Sequence, residues 1–164
     1  KNSKNYRILN ALLPGYKLNF NDILASIAIE QVKKIDQILN YRLKIKKYYI
    51  KKLNEIIKNK TIYIPEIREN CTSGHYNFPI IINDSVKIRN KLANFLQTKK
   101  IYTTIHYTPA HKHQFYKTKI IKKNLINTDK LFDTTLALPF HNKLNLKDID
   151  FISKQVLTFF NEKK

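Results

Sequence analysis

Glycine is nearly absent from this 164-residue chain, with Gly15 and Gly74 as its two copies. Walker-type phosphate loops and dinucleotide fingerprints each need several glycines within one turn, so both are excluded. Cysteine occurs once, as Cys71. That leaves no internal disulfide and no cysteine-built zinc site, and it favours a reducing compartment. Tryptophan and methionine are missing altogether, and the first residue is Lys1. A chain that starts this way reads as processed or as a piece of something longer. No apolar run reaches the roughly 18 residues of a membrane span, and no signal-peptide core opens the sequence. The expectation is a cytoplasmic chain with no membrane partner.

Acid is also scarce: 12 Asp+Glu stand against 31 Lys+Arg, for a net charge of +19. Such a balance invites a nucleic-acid reading, because clustered cations displace counterions from phosphates. The lysines are scattered, however, singly or in pairs such as Lys33-Lys34 and Lys122-Lys123. Arginine, the better residue for bidentate base and phosphate contacts, occurs four times (Arg7, Arg42, Arg68, Arg89). The excess therefore reads as a solvated lysine surface. A basic, non-enzymatic binding module for nucleic acid or another acidic partner stands as the alternative. Hydrophobic residues at 43% and aromatics at 12% are globular values.

Leu13-Pro14-Gly15 signals a turn, and Asn21-Asp22 supplies a cap and an early carboxylate for a long helical stretch. From there Ile23, Ile27, Val32, Ile35, Leu39, Ile45, Tyr49, Leu53 and Ile56 recur near the roughly 3.6-residue helical period, marking one buried stripe. A break is expected around Lys33 to Asp36. Thr61–Ile64, Tyr76–Ile82 and Ile101–His106 read as strands, with Pro79 confined to an edge or bulge. Asp84 or Ser85 caps a helix with Ile88, Leu92, Phe95 and Leu96 inward. A short helix over Asp129–Thr135 and an extended piece over Leu136–His141 follow. Asn145 and Asp148 form a capping box that opens a last helix, with Ile149, Ile152, Val156 and Phe159 inward. The fold class is therefore α/β, of an α+β-like kind: long helices, then a small, mostly antiparallel sheet with helices.

The segment Ile105-His106-Tyr107-Thr108-Pro109-Ala110-His111-Lys112-His113 holds three histidines within eight residues. With no carboxylate or cysteine beside them, no metal-ligand geometry is specified, and no metal is expected. A strand-end loop with imidazole and aromatic groups suits a small-molecule pocket, and equally an ordinary loop packed on its own sheet.

The order of motifs resembles one family. Pro14-Gly15-Tyr16-Lys17-Leu18-Asn19-Phe20-Asn21-Asp22-Ile23-Leu24-Ala25-Ser26-Ile27 is similar to the "PGYKYN-x-x-DI-x-AA-I" segment of the DegT/DnrJ/StrS-type sugar aminotransferases. Ile105-His106-Tyr107 with Ala110-His111 resembles its "IHY-x-x-x-H" segment. Leu138-Pro139-Phe140-His141 with Leu144-Asn145 resembles its "LP-x-H-x-x-L" signature. Leu18 and Leu24 depart from the first pattern. Ser73-Gly74-His75-Tyr76 reverses an aromatic-His pair common in the family, so His75 receives no role.

The resemblance implies the C-terminal portion of an aspartate-aminotransferase-like fold. Residues 1–34 would end the large cofactor domain and form its exit helix, and residues 35–164 would form a connecting helix and the small domain. It also implies a homodimer or a large-domain partner chain, pyridoxal 5'-phosphate as cofactor, a nucleotide-sugar substrate and an amino donor such as glutamate. Asn19 would reach the cofactor phosphate across the subunit interface, and His106, Tyr107 and His111 would lie on the substrate side. The family's Schiff-base lysine precedes the Pro14 motif, and nothing in residues 1–13 matches its surroundings. No catalytic residue is therefore assigned, and the chain is expected to be inactive alone.

Overall fold

Asn21 caps the first helix: its Oδ1 accepts the Leu24 amide at 3.0 Å, and α1 (Asp22–Val32) follows. The structure is a computed structural model and describes residues 20–83, 86–117 and 124–162. Lys33 and Lys34 form a turn, after which α2 (Ile35–Lys52) and the short α3 (Asn54–Lys58) continue the helical arm. The expected break therefore falls at the two lysines.

The expected buried stripe does not run the whole way. Ile45, Tyr49, Leu53 and Ile56 are buried, whereas Ile23 is 73% exposed, Ile27 55% and Val32 66%. Helix α1 buries no residue at all. Its exposed apolar residues Ile23, Leu24, Ile27, Ile29 and Val32 lie on more than one side of the helix, and the described residues do not cover them. Periodicity cannot tell which partner supplies the cover.

Three strands form an antiparallel sheet in the order β1 (Ile62–Tyr63), β2 (Phe78–Ile82), β3 (Thr135–Leu138). The register pairs Ile62 with Ile82 on one side of β2 and Pro79 with Ala137 on the other. Pro79 thus sits in the central strand, neither on an edge strand nor at a bulge. Its missing N–H is harmless for a local reason. Ala137 exchanges both backbone bonds with Thr104, at 2.8 and 3.2 Å, so its polar groups face away from β2. The Pro79–Ala137 pair therefore lacks direct hydrogen bonds, and β1 ends before it reaches Pro79.

The strand expected over Ile101–His106 shrinks to that single Thr104–Ala137 bridge. The β-branched run had the right composition, but only Thr104 meets a partner strand. Helix α4 (Val86–Thr98) turns Leu92 and Leu96 inward as expected, with Ile88 and Phe95 half-buried. The proposed Asp84 or Ser85 cap lies outside the described residues. A 3₁₀ turn (Ala110–Lys112) and a four-residue helix α5 (Gln114–Lys117) follow the bridge.

Helix α6 (Ile126–Thr134) runs directly into β3, and α7 (Leu146–Asn161) closes the fold. The Asn145–Asp148 capping box is complete, with bonds of 3.0 and 2.9 Å. All four expected inward residues of α7 are buried. They join Tyr49, Phe78, Ile80 and Leu136 in one core between the sheet and α2, α4 and α7.

Candidate functional site

The segment leaving β3 is fastened to α2 by three side chains on one helix face. The Tyr49 hydroxyl donates to the Pro139 carbonyl at 2.9 Å, and Tyr41 donates to the Leu144 carbonyl at 2.7 Å. Arg42 Nε donates to Asn142 Oδ1 at 3.1 Å. Tyr49 is fully buried and stacks on Phe78, with ring centroids 4.7 Å apart. Burial, and secondarily the charge of Asp148, pushes its phenol well above the ordinary tyrosine value. It acts as a neutral donor that fixes the Leu138-Pro139-Phe140-His141 turn.

That turn forms one wall of an open cleft of about 610 Å³. Arg42 of α2, Thr104 and His106 of the bridge loop, Tyr76 at the entry to β2 and Phe151 of α7 supply the other sides. The floor is apolar, from Ile101, Ala137, Leu138 and Ile152, while Arg42, Lys100 and His141 bring cationic or protonatable groups to it. Tyr76 and Tyr102 also line the cleft and are 67% and 71% exposed. Aromatic faces beside guanidinium and ammonium groups can hold a ligand that is flat at one end and anionic at another.

His106 belongs to this cleft. Its Nε2 lies 2.6 Å from Thr104 Oγ1, whose hydroxyl can donate or accept according to the ring's tautomer. Its Nδ1 is buried and has no hydrogen-bond partner among the described residues. Tyr107 stands beside it, joined through a cis peptide bond, with its ring edge-on at 4.6 Å. A hydrogen bond with Tyr76 pushes the Tyr107 phenol above its ordinary value. Tyr107 is exposed and reaches the cleft through Tyr76, which lines it.

His111 lies elsewhere. Its Nε2 is 2.9 Å from Asp129 Oδ1 on α6, and it is not among the described residues lining the cleft. The structure therefore brings His106 and Tyr107 together and sets His111 apart. Asn19, with the whole Pro14 motif up to it, lies outside the described residues. Among the described residues, no group of three or more His, Cys, Asp or Glu side chains gathers as metal ligands.

Residues 1–157 match the model of the DegT/DnrJ/EryC1/StrS aminotransferase family. The chain belongs to this family. One relative is the UDP-4-amino-4,6-dideoxy-N-acetyl-beta-L-altrosamine transaminase of Campylobacter jejuni, 27% identical over 151 residues. That alignment takes in 92% of this chain and 39% of the relative. Among solved structures, the aminotransferase TlmJ from Streptoalloteichus hindustanus superposes with a TM-score of 0.77 at 23% identity, over 88% of this chain and 38% of that one. A Bacillus subtilis protein solved with bound cofactor PMP gives a TM-score of 0.73 at 22% identity, over 85% and 32% of the two chains. The chain thus spans about 39% of the length of the curated relative. Its helices and small antiparallel sheet are those of the aminotransferase fold.

The cofactor bound in the Bacillus subtilis structure does not find a complete seat in the described residues. An imine-forming lysine must be held against the cofactor ring. Lys100, the lysine on the cleft wall, is exposed in the turn after α4. The residues that shape the cleft but escaped sequence reading are Tyr41, Arg42, Tyr49 and Tyr76. A usable signal existed for two of them: Tyr41 and Tyr49 lie eight residues apart on the apolar face of α2, and a buried tyrosine needs a partner for its hydroxyl.

Proposed function

We propose that this chain is the C-terminal segment of a pyridoxal-phosphate-dependent aminotransferase that aminates a keto group on a nucleotide-linked sugar, for polysaccharide or glycan biosynthesis. The observation that carries the reading is the cleft around His106. A nucleoside diphosphate sugar has a flat base, a pyrophosphate and a polyhydroxyl ring. Tyr76 and Tyr102 offer faces for the base, and Arg42 and Lys100 offer charge for the phosphates. Thr104 Oγ1, on the exposed cleft wall and held by His106 Nε2, offers one further hydrogen-bond position. The Campylobacter jejuni relative, a transaminase of a UDP-linked amino sugar, supports this ligand class.

On this reading residues 1–34 end the large domain and its exit helix, and residues 35–164 are the connecting helix and small domain. The uncovered apolar residues of α1 support a partner there, either the large-domain chain or a second subunit. Asn19 would serve the cofactor phosphate. The segment's own work is to bind and orient the substrate, and the amino-group chemistry, from a donor such as glutamate, is completed by the rest of the enzyme. By itself the chain should not transaminate.

The test is a titration of the isotope-labelled chain with uridine diphosphate, followed by NMR. Signals of Tyr76, Tyr102, Thr104 and His106 should shift together, and Arg42→Ala should weaken binding by about fivefold or more, as expected for loss of a charge-assisted contact. Shifts spread over surface lysines, abolished by modest salt, would instead favour a basic binding module.

A further inference from the structure

The loop that carries His106 and Tyr107 is held at its far end by a second group of side chains. Asp129 Oδ1 meets both His111 Nε2 and Lys112 Nζ, each at 2.9 Å. Lys112 Nζ also sits 4.8 Å from the centre of the Phe132 ring, one helical turn on from Asp129. Phe132 is in turn anchored from the core. Arg89, 2% exposed, donates through Nη1 to the carbonyls of Phe132 at 3.0 Å and Thr135 at 3.3 Å. A continuous path of contacts therefore joins the buried face of α4, through α6, to the 3₁₀ turn.

We infer that Asp129 is a positioning residue: it latches the 3₁₀ turn to α6 and thereby sets where His106 and Tyr107 stand at the cleft. His111 then serves this latch and does not contact ligand. Three features make the link mechanical. The span from Tyr107 to His111 is three residues, so a displacement at one end reaches the other. Pro109, within that span, is buried and its backbone is fixed at φ −57° and ψ 142°. The near end is tied by short-range contacts, from His106 to Thr104 and from Tyr107 to Tyr76. The inference rests on the proposed ligand site only in giving the loop its purpose; the latch itself can be read without any ligand.

The experiment uses the full chain without ligand, comparing Asp129→Asn, Asp129→Glu and the wild type. Asp129→Asn should move the ring resonances of His106 and Tyr107 and raise amide exchange in residues 105–113 by roughly threefold or more, while α2, α4 and α7 keep their protection. Asp129→Glu, which keeps the charge, should restore the signals in large part. If Asp129→Asn does not fold, the double variant His111→Phe, Lys112→Met removes the two donors and should give the same local signature. Unchanged His106 and Tyr107 signals in the folded variant would overturn the latch, as would a uniform loss of protection across the domain. A latch signature without any uridine diphosphate binding would leave the latch standing and count against the nucleotide-sugar reading. Binding without the signature would do the reverse.

Discussion

Replacing Tyr49 by Phe isolates one hydroxyl at the junction of core and cleft. The ring stays stacked on Phe78, and the bond to the Pro139 carbonyl disappears. Loss of one such bond costs about 1 kcal/mol. For a chain of this size that lowers the thermal midpoint by about 2–4 °C. Alkaline pH tests the same group from the other side. The native phenol holds its proton above the ordinary value because burial opposes the phenolate. Above pH of about 10 the unfolded chain has released that proton and the native chain has not, so wild-type stability falls with pH, by up to about 1.4 kcal/mol per unit. The Phe variant has nothing to ionise at this position and escapes that slope. Lys52, whose proton is also held more tightly in the native state, contributes equally to both proteins. Urea unfolding followed by circular dichroism from pH 7 to 11.5 should therefore give two curves that cross near a pH of about 11. Parallel curves, with no penalty at neutral pH, would refute the placement of Tyr49 as a buried donor to the cleft wall.

Ile80→Ala in the central strand should cost about 2–5 kcal/mol in urea unfolding, because Ile80 is fully buried. Ile27→Ala on the exposed face of α1 should change the same measurement by less than about 0.5 kcal/mol. Arg89→Met should destabilise the chain by about 2 kcal/mol or more, leaving the Phe132 and Thr135 carbonyls without their buried donor. Asp150 is held below its ordinary value of 3.8 by hydrogen bonds from Lys52 and Tyr48. Its contribution is present above pH 3.8 and is lost as pH falls through the depressed native value, so Asp150→Asn should flatten the acid limb of the stability profile.

The sequence made the local elements easy to read where one residue type enforces them. The Asn145–Asp148 box and the four inward residues of α7 are local, and they appear as expected. The break expected near Lys33 to Asp36 falls at Lys33 and Lys34, although no residue there forces it: lysine pairs also lie within α2. What could not be read depends on neighbours distant in sequence. Whether Ile101–His106 becomes a strand depends on how much of β3 lies alongside it, and only Thr104 finds a partner. Whether Pro79 is tolerated in a central strand depends on where β1 stops. The cleft follows the same rule. His106 and Tyr107 were visible as a motif, but their separation from His111 is set by Asp129, eighteen residues further along. Arg42, Tyr49 and Tyr76 become site residues only through contacts with segments far along the chain.

Under the proposed function, this segment shapes a substrate site while a lysine of the large domain serves the amino-group chemistry. Incubation with pyridoxal 5'-phosphate, trapping with borohydride and peptide mapping addresses that claim directly. Low, scattered labelling across the surface lysines is the predicted result. Saturable labelling of one unique lysine, Lys100 above all because it lines the cleft, would contradict it.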